Sequence, residues 1–283
     1  AYSHATGIVD AFDGVADLKA RRIRCVGNAM ERFTEDALRI LRAIRFSAQL
    51  GFEIEDATRQ AITEIAPNLI HVSKERIQVE LTKLLLSDRP QTMKLVYETG
   101  ISPYVSETFH KMGEMLADMP ITVPAKKALR WALFLRKGTP EQSVRILRDL
   151  KLDNDTINKA KTLVHWQGTR ITPDTHSIRV VMSRMEPDLF DDLLDFRMCL
   201  AQIESEGNKT CQEHLAHTAM LVDEIRRDGD CISLKTLAVG GNDIIKAGVK
   251  PGKEVGLALA RLLEMVLEEP GRNTKEYLLQ HLV

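Results

Sequence analysis

The stretch Glu-Arg-Phe-Thr-Glu-Asp-Ala-Leu-Arg-Ile-Leu-Arg-Ala-Ile-Arg-Phe (residues 31–46) decides the fold, because its charged and apolar residues recur with helical spacing. At about 100° per residue, one side of such a helix carries Glu35, Arg39 and Arg42. The opposite side carries Ala37, Leu41, Ile44 and Ala48. Asp36 and Arg45 fall on the flanks. The pattern predicts a helix with one buried face and one rigid carboxylate–guanidinium stripe, which can read polar edges such as those of a nucleobase.

Composition argues against several classes of function. Charged residues make up 28% of the 283 residues, but the formal net charge is -1, so any nucleic-acid contact depends on local basic clusters. Aromatic residues are only 5%, which argues against base stacking as the main binding device. The cysteines form no Cys-x-x-Cys pair, so a structural zinc site is not expected. No apolar run reaches membrane-span length and no signal peptide is expected, so we expect a soluble, cytoplasmic protein.

The remaining pattern is helical almost everywhere. Residues 6–26 are the exception, since turn residues and short alternating runs predict a connector with brief strands. Thr34 is the expected N-cap of a helix that runs to about Gln49 and ends at Gly51, and Thr139 is the expected N-cap of a later one. Further helices are expected near 55–65, 73–86, 91–99, 103–117, 124–136, 140–150, 153–166, 173–185, 188–206, 209–227 and 253–268. The predicted fold class is all-α, as an elongated array of small helical modules.

Residues 33–39, with Arg42, Arg45 and Phe46 after them, resemble a known sequence motif. It is the EDxxR nucleotide-recognition motif of class II CCA-adding tRNA nucleotidyltransferases and bacterial poly(A) polymerases. Further stretches resemble that family's head–neck strand-turn, its next neck motif and the tail of bacterial CCA-adding enzymes, at residues 10–24, 72–85 and 243–263. Ala11 replaces the usual Pro of the strand-turn. The resemblance is weak over residues 100–230.

The resemblance implies a division of the chain and a function. The expected parts are a head–neck connector, a neck with the nucleotide-recognition helices, a body and a tRNA-binding tail, at residues 1–26, 27–90, 91–187 and 188–283. The family adds nucleotides from CTP and ATP to the tRNA 3′ end, with Mg²⁺ held by a catalytic head. The carboxylates of that head would precede residue 1, and the first strand-turn would be its remnant. We therefore expect a nucleotidyltransferase whose present fragment is inactive alone.

The charged stripe has a base-reading chemistry of its own. Cytosine and adenine both present an exocyclic amino donor beside a ring-nitrogen acceptor, which a carboxylate and a guanidinium can pair. Asp36 and Arg39 are three residues apart, so on one helix they would face one base together. By resemblance, Asp36 and Arg39 template CTP and ATP, Glu35 orients Arg39, and Arg42 and Arg45 support the base or the phosphates. The plainer interpretation is a solvated helix face whose ion pairs contribute little.

Two basic clusters are weaker candidates for RNA contact. Lys126, Lys127 and Arg130 belong to a basic stretch of the body, which by resemblance contacts the acceptor arm of tRNA. Lys250 and Lys253 flank a Gly-rich turn before a helix, an arrangement that suits a phosphate. A solvated helix face and a simple helix-entry turn explain these residues equally well.

The second neck motif contains charged residues for which bracing is the expected role. Lys74, Glu75, Arg76 and Glu80 share one predicted helix. Their spacing predicts pairs within that helix that brace the neck. Direct contact with a substrate is not expected of them.

Two other functions remain open at this stage. A bacterial poly(A) polymerase shares the neck motif, although the pattern at residues 243–252 favours the CCA-adding enzymes. A non-catalytic all-α RNA-binding module is the alternative from another class, and it predicts that the native gene starts here. Reading the 5′ end of the gene separates this module from the enzyme.

Overall fold

The computed structural model describes residues 2–4, 7–115, 119, 123–169, 171–204 and 209–282. Within these residues there are seventeen α-helices, and strands are few and short, which confirms the all-α prediction. The chain divides into two units, Ala1–Gln167 and Gly168–Val283. The finer division into connector, neck, body and tail stays a prediction.

The first unit begins with short strands and one helix. Strand β1 (Tyr2–Ser3) pairs with β2 (Gly7–Ile8) in antiparallel orientation, and α1 spans Gly14–Ala20. Strand β3 (Arg22–Ile23) pairs in parallel with β4 (Glu53–Ile54). The predicted short strands of the connector are therefore present, and β3 lies beside the end of the decisive stretch.

The decisive stretch forms two helices where one was expected. Helix α2 spans Ala29–Glu35 and α3 spans Leu38–Leu50. Asn28 is the N-cap of α2, because its side chain accepts hydrogen bonds from the backbone N–H groups of the first turn. The predicted N-cap at Thr34 is wrong, since Thr34 lies inside α2 and its hydroxyl donates to the carbonyl of Met30 at 2.7 Å. Gly51 ends α3 in the left-handed conformation as predicted, with φ of 66°.

The rest of the first unit packs around α3 and the later helices. The helices α4 to α11 are Asp56–Ile65, Lys74–Leu85, Lys94–Glu98, Ser102–Val105, Glu107–Lys111, Lys127–Leu135, Pro140–Asp149 and Asn154–Trp166. Helix α3 packs on α5, and α11 packs on α9 and α10. The predicted helix 103–117 is divided between α7, α8 and a 3₁₀ turn, and residues 116 and 117 lie outside the described residues. Thr139 caps α10 as expected, in a capping box with Gln142.

The second unit is a separate helical core. Its helices α12 to α17 are Thr175–Met182, Pro187–Glu204, Lys209–Asp228, Gly241–Lys246, Lys253–Glu268 and Lys275–Gln280. Helices α13 and α14 pack against each other, and α15 to α17 bury Ile244, Val266 and Leu278. The predicted end of α13 near residue 206 lies outside the described residues. No described helix has the length and apolar character that crossing a membrane requires.

Candidate nucleotide-binding site

The break between α2 and α3 fixes the position of Asp36. Its backbone is extended, with φ of -149° and ψ of 98°, so Asp36 and Arg39 do not lie on one continuous helix as predicted. The Asp36 carboxylate accepts a hydrogen bond from the Leu38 N–H at 3.2 Å, at the start of α3. The break therefore places this carboxylate at the exposed N-terminal end of a helix whose other face is buried.

A cavity of about 480 Å³ lies beside this break. Asp36, Arg39 and Arg42 line it together, so three of the five predicted nucleotide-binding residues share one concave surface. Its apolar lining comes from Ile23, Phe33, Ala43 and Phe46. A pocket with apolar walls and a few convergent polar groups is typical of small-molecule sites. The volume suits a nucleobase with part of its sugar and phosphates.

Asp36 and Arg39 each have a partner that holds the side chain in place. The guanidinium of Arg76, on α5, donates to both carboxylate oxygens of Asp36, at 3.0 and 3.3 Å. The Arg39 guanidinium donates to Glu35 at 2.9 Å and to the carbonyl of Arg32 at 3.0 Å. Hydrogen bonds from Arg39 and then from Arg32 lower the pKa of Glu35, which keeps its carboxylate ionised.

Arg42 differs from these residues, because no carboxylate of the described residues pairs with it. Its guanidinium carbon lies 6.0 Å from the ring centroid of Phe46, within cation–π range. Arg42 is exposed and lines the cavity. Its charge is therefore available to an anionic group that enters the cavity.

The structure places Arg45 in the core and not at the cavity, contrary to the prediction that it supports a base or phosphates. Its Nε lies 2.5 Å from Glu80 Oε2, its Nη1 donates to Gln49, and its guanidinium covers the Phe46 ring at 4.0 Å. Both side chains of the Arg45–Glu80 pair are buried. Arg45 falls on the side of α3 that packs against α5, where Glu80 pairs with it.

The second neck motif pairs with other helices and not within its own, so the intrahelical prediction is wrong for three of its residues. Arg76 reaches Asp36, and Glu80 reaches Arg45. The Lys74 ammonium donates to the carbonyls of Tyr104 and Val105, at the end of α7, and burial lowers its pKa. Sequence reasoning missed Arg76 as a site residue, because nothing local in the sequence links positions 40 residues apart.

The basic residues predicted to contact RNA have different environments. Arg130 is buried, and it donates to the backbone carbonyls of Leu85, Ser87, Val123 and Pro124, so its predicted RNA contact is a misassignment. Lys127 pairs with Asp153 at 2.6 Å, and Lys126 is exposed. In the second unit, Lys250 and Lys253 are exposed beside the α15–α16 turn. Their RNA contacts stay predictions.

The described residues contain no group of three or more His, Cys, Asp or Glu side chains that could hold a metal ion. A Mg²⁺ ion needs several oxygen ligands in near-octahedral geometry. Within the described ranges, no single cluster of side chains would supply that ligand set without help from waters or a substrate.

The chain is helical, and an aspartate and two arginines line one of its cavities. Comparison with protein families shows the class of protein to which it belongs. Residues 124–282 match the family described as tRNA nucleotidyltransferase domain 2, and residues 51–112 match the probable RNA and SrmB-binding site of polymerase A. The chain belongs to the tRNA nucleotidyltransferase/poly(A) polymerase family.

Individual relatives carry one name. The chain is 32% identical over 281 residues to a CCA-adding enzyme of Latilactobacillus sakei, and 33% identical over 279 residues to that of Lacticaseibacillus paracasei. These alignments cover 96% and 94% of this chain but only 66% and 63% of the relatives. A crystal structure of the Bacillus stearothermophilus CCA-adding enzyme in complex with CTP is similar, with a TM-score of 0.83 and 26% identity. That match covers 99% of this chain and 69% of the other.

Proposed function

We propose that this chain is the nucleotide-selecting and tRNA-binding part of a CCA-adding enzyme, which transfers nucleotides from CTP and ATP to the tRNA 3′ end. The observation that carries the proposal is the convergence of Asp36, Arg39 and Arg42 on one cavity. The relatives' name supports it, because they match along almost the whole chain. We also propose a cytoplasmic location, since none of the cysteines forms a disulfide.

Base selection follows from the groups at the cavity. The exocyclic amino group of cytosine or adenine donates to the Asp36 carboxylate, and Arg39 donates to the neighbouring ring nitrogen. Uracil and guanine present a carbonyl where the amino group would be, so the carboxylate faces another acceptor. Losing the hydrogen bond between the base and this charged group costs about 1.5–3 kcal/mol, which is roughly 10- to 150-fold in affinity. The same site therefore accepts two bases and rejects two.

The remaining predicted contacts complete the proposal. Glu35 holds Arg39 in the orientation that base reading requires, through the hydrogen bond at 2.9 Å. Arg42 attracts the phosphates, because its charge has no carboxylate partner among the described residues. Lys126, Lys250 and Lys253 are proposed to contact tRNA phosphates, so that affinity for tRNA falls as salt concentration rises.

The metal-assisted step of nucleotide transfer is assigned to a part of the enzyme other than the residues named above. The resemblance assigns Mg²⁺ to the carboxylates of a catalytic head, and the matched relatives are longer than this chain. The ion would supply Lewis-acid activation there. The residues of this chain bind and orient the base, and they hold the incoming nucleotide by its pairing edge.

The test is nucleotide binding by the 283-residue chain, measured calorimetrically for CTP, ATP, UTP and GTP. Asp36→Asn keeps an oxygen for the Leu38 N–H but adds an amide donor, which can pair with a uracil carbonyl. We expect affinity for CTP and ATP to fall about 10-fold or more, and affinity for UTP to rise. Asp155→Asn, on an exposed residue that pairs with Lys159, is the matched control. An unchanged preference for C and A in Asp36→Asn would show that this carboxylate does not read the base.

A poly(A) polymerase is the second candidate, because residues 51–112 match a family described for polymerase A. The products of the intact protein separate the two enzymes. A CCA-adding enzyme stops after completing the 3′ end, whereas a poly(A) polymerase produces a long tail.

A further inference from the structure

A second, smaller cavity lies inside the second unit. Its volume is about 110 Å³, and it is formed by α13, α14 and the segment before α12. Leu194 and Arg197 line it from α13, and His214 and Thr218 line it from α14. Each pair is separated by about one helical turn, so each helix offers one face to the cavity. Thr172 lines it from the segment before α12.

Arg197 brings a positive charge to this cavity. Its Nη1 donates to the carbonyl of Thr169 at 2.8 Å, and no carboxylate of the described residues pairs with it. Burial lowers the pKa of the Arg197 guanidinium, since its charge is partly removed from water. Arg179, in the same unit, is the contrast, because it is buried against Asp230 at 2.8 Å. A desolvated cation without a counter-charge stabilises a bound anion.

The lining around Arg197 favours an oxyanion. Among the described residues no carboxylate lines the cavity, although the Cys211 thiol does. The polar groups there include the Thr172 hydroxyl and the His214 imidazole, which can both donate hydrogen bonds. A guanidinium presents a planar fork of donors that matches the oxygens of a phosphate. The cavity is smaller than the roughly 300 Å³ at which pockets for drug-sized ligands begin, so it suits one phosphate group and not a whole nucleotide.

We infer that this cavity is a phosphate-binding site in which Arg197 is the principal ligand and Thr172 and His214 add hydrogen bonds. The bound group is either free inorganic phosphate or a phosphate of an RNA backbone, because both present the same oxygens. This site is separate from the cavity beside α3 that selects the nucleotide. Its occupation by free phosphate does not depend on the proposed function, whereas its occupation by RNA does.

The first arm of the test uses inorganic phosphate and the 283-residue chain. Phosphate is titrated at constant ionic strength against chloride, and the thermal midpoint is followed. We expect a saturable rise of the midpoint in the unaltered chain that is absent in Arg197→Gln. Arg226→Gln is the matched control, because Arg226 is exposed in the same unit and already pairs with Asp191. That control keeps the rise.

The second arm uses a tRNA transcript and a series of salt concentrations. If an RNA phosphate occupies the cavity, the salt slope of binding falls by about 1 in Arg197→Gln and is unchanged in Arg226→Gln. Calorimetric binding of CTP stays unchanged in Arg197→Gln, so failure of this site is distinguishable from failure of nucleotide selection. Should Arg197→Gln not fold, Thr172→Val replaces it, because Thr172 is exposed and lies outside the helices. About fivefold weaker binding is then expected. If neither arm responds, the inference is overturned.

Discussion

Replacing Glu80 by Gln removes one charge from a pair that water barely reaches. The side chains of Arg45 and Glu80 are only 9% and 7% exposed, and their nearest atoms are 2.5 Å apart. Removing one partner leaves the other charge buried and uncompensated, which costs about 3–5 kcal/mol. We expect Glu80→Gln to lower the free energy of unfolding of the first unit by this amount. Arg45→Met should cost a similar amount, and the double variant should cost less than the sum.

Tryptophan fluorescence during urea unfolding is the appropriate assay. The chain has two tryptophans, Trp131 and Trp166, and both belong to the first unit. Trp131 is buried, and its indole N–H donates to the hydroxyl of Thr82 at 3.1 Å. Thr82 lies on α5, the helix that carries Glu80. The fluorescence signal therefore reports on the unit, and on the helix, that the substitution changes.

The matched control is Glu98→Gln, which removes the same charge from an exposed pair. Glu98 pairs with Arg59 at 3.1 Å, and both side chains are close to half exposed, so its loss should cost at most about 1 kcal/mol. A cost for Glu80→Gln no larger than that of the control would refute the reasoning. A change in base preference for Arg45→Met, under conditions where this variant remains folded, would also refute it, because it would show that Arg45 contacts the nucleotide.

Three further outcomes are expected. Gly51→Ala should lower the stability of the first unit by at least about 1–2 kcal/mol, because φ is +66° there and the new Cβ would lie 2.3 Å from the Arg89 guanidinium carbon. Urea midpoints of Gly51→Ala and of the double variant Gly51→Ala/Arg89→Ala separate the cost of the backbone conformation from the cost of the clash. Thr139→Ala removes a capping box and should cost about 1 kcal/mol in the same assay, with no effect on CTP binding. The hydrogen bond from Arg39 is the chief cause that lowers the pKa of Glu35. The support that the ionised Glu35 carboxylate gives to Arg39 is therefore complete above the ordinary pKa of 4.5, and it is lost as pH falls through the lowered pKa. CTP titrations across this acidic range should therefore show weakening that Glu35→Gln flattens.

Local features of the fold were predictable from the sequence, because their causes lie within a few residues. The helical periodicity of the charged stretch predicted the buried face of α3, on which Leu41, Ile44 and Ala48 are all buried. The Thr139 cap and the Gly51 stop were also correct, since each depends on the conformational preferences of one residue. The class of protein followed from motif order along the chain.

The errors arose where a distant neighbour decides the outcome. A continuous helix through Asp36 satisfied the periodicity equally well, but the structure bends the backbone there, where the Asp36 carboxylate accepts from the N–H of Leu38 and pairs with Arg76. Arg130 was assigned to RNA from a local basic bias, although four backbone carbonyls hold it in the core. Composition cannot distinguish an arginine that satisfies buried carbonyls from one that faces solvent, because both are charged residues on a helix.

Helix α5 holds in place the segment that contains Asp36 and Arg45. Its residues Arg76 and Glu80 are one turn apart. Arg76 forms an ion pair with Asp36 at the break, and Glu80 forms one with Arg45 in the middle of α3. One residue inserted between Arg76 and Glu80 would rotate one side chain away from the other by about 100° around the helix axis. Natural or engineered insertions at this point of α5 should then break the ion pair of Asp36 with Arg76 or that of Arg45 with Glu80. The spacing of Arg76 and Glu80 along α5 therefore constrains how the Asp36 carboxylate and α3 are held relative to each other.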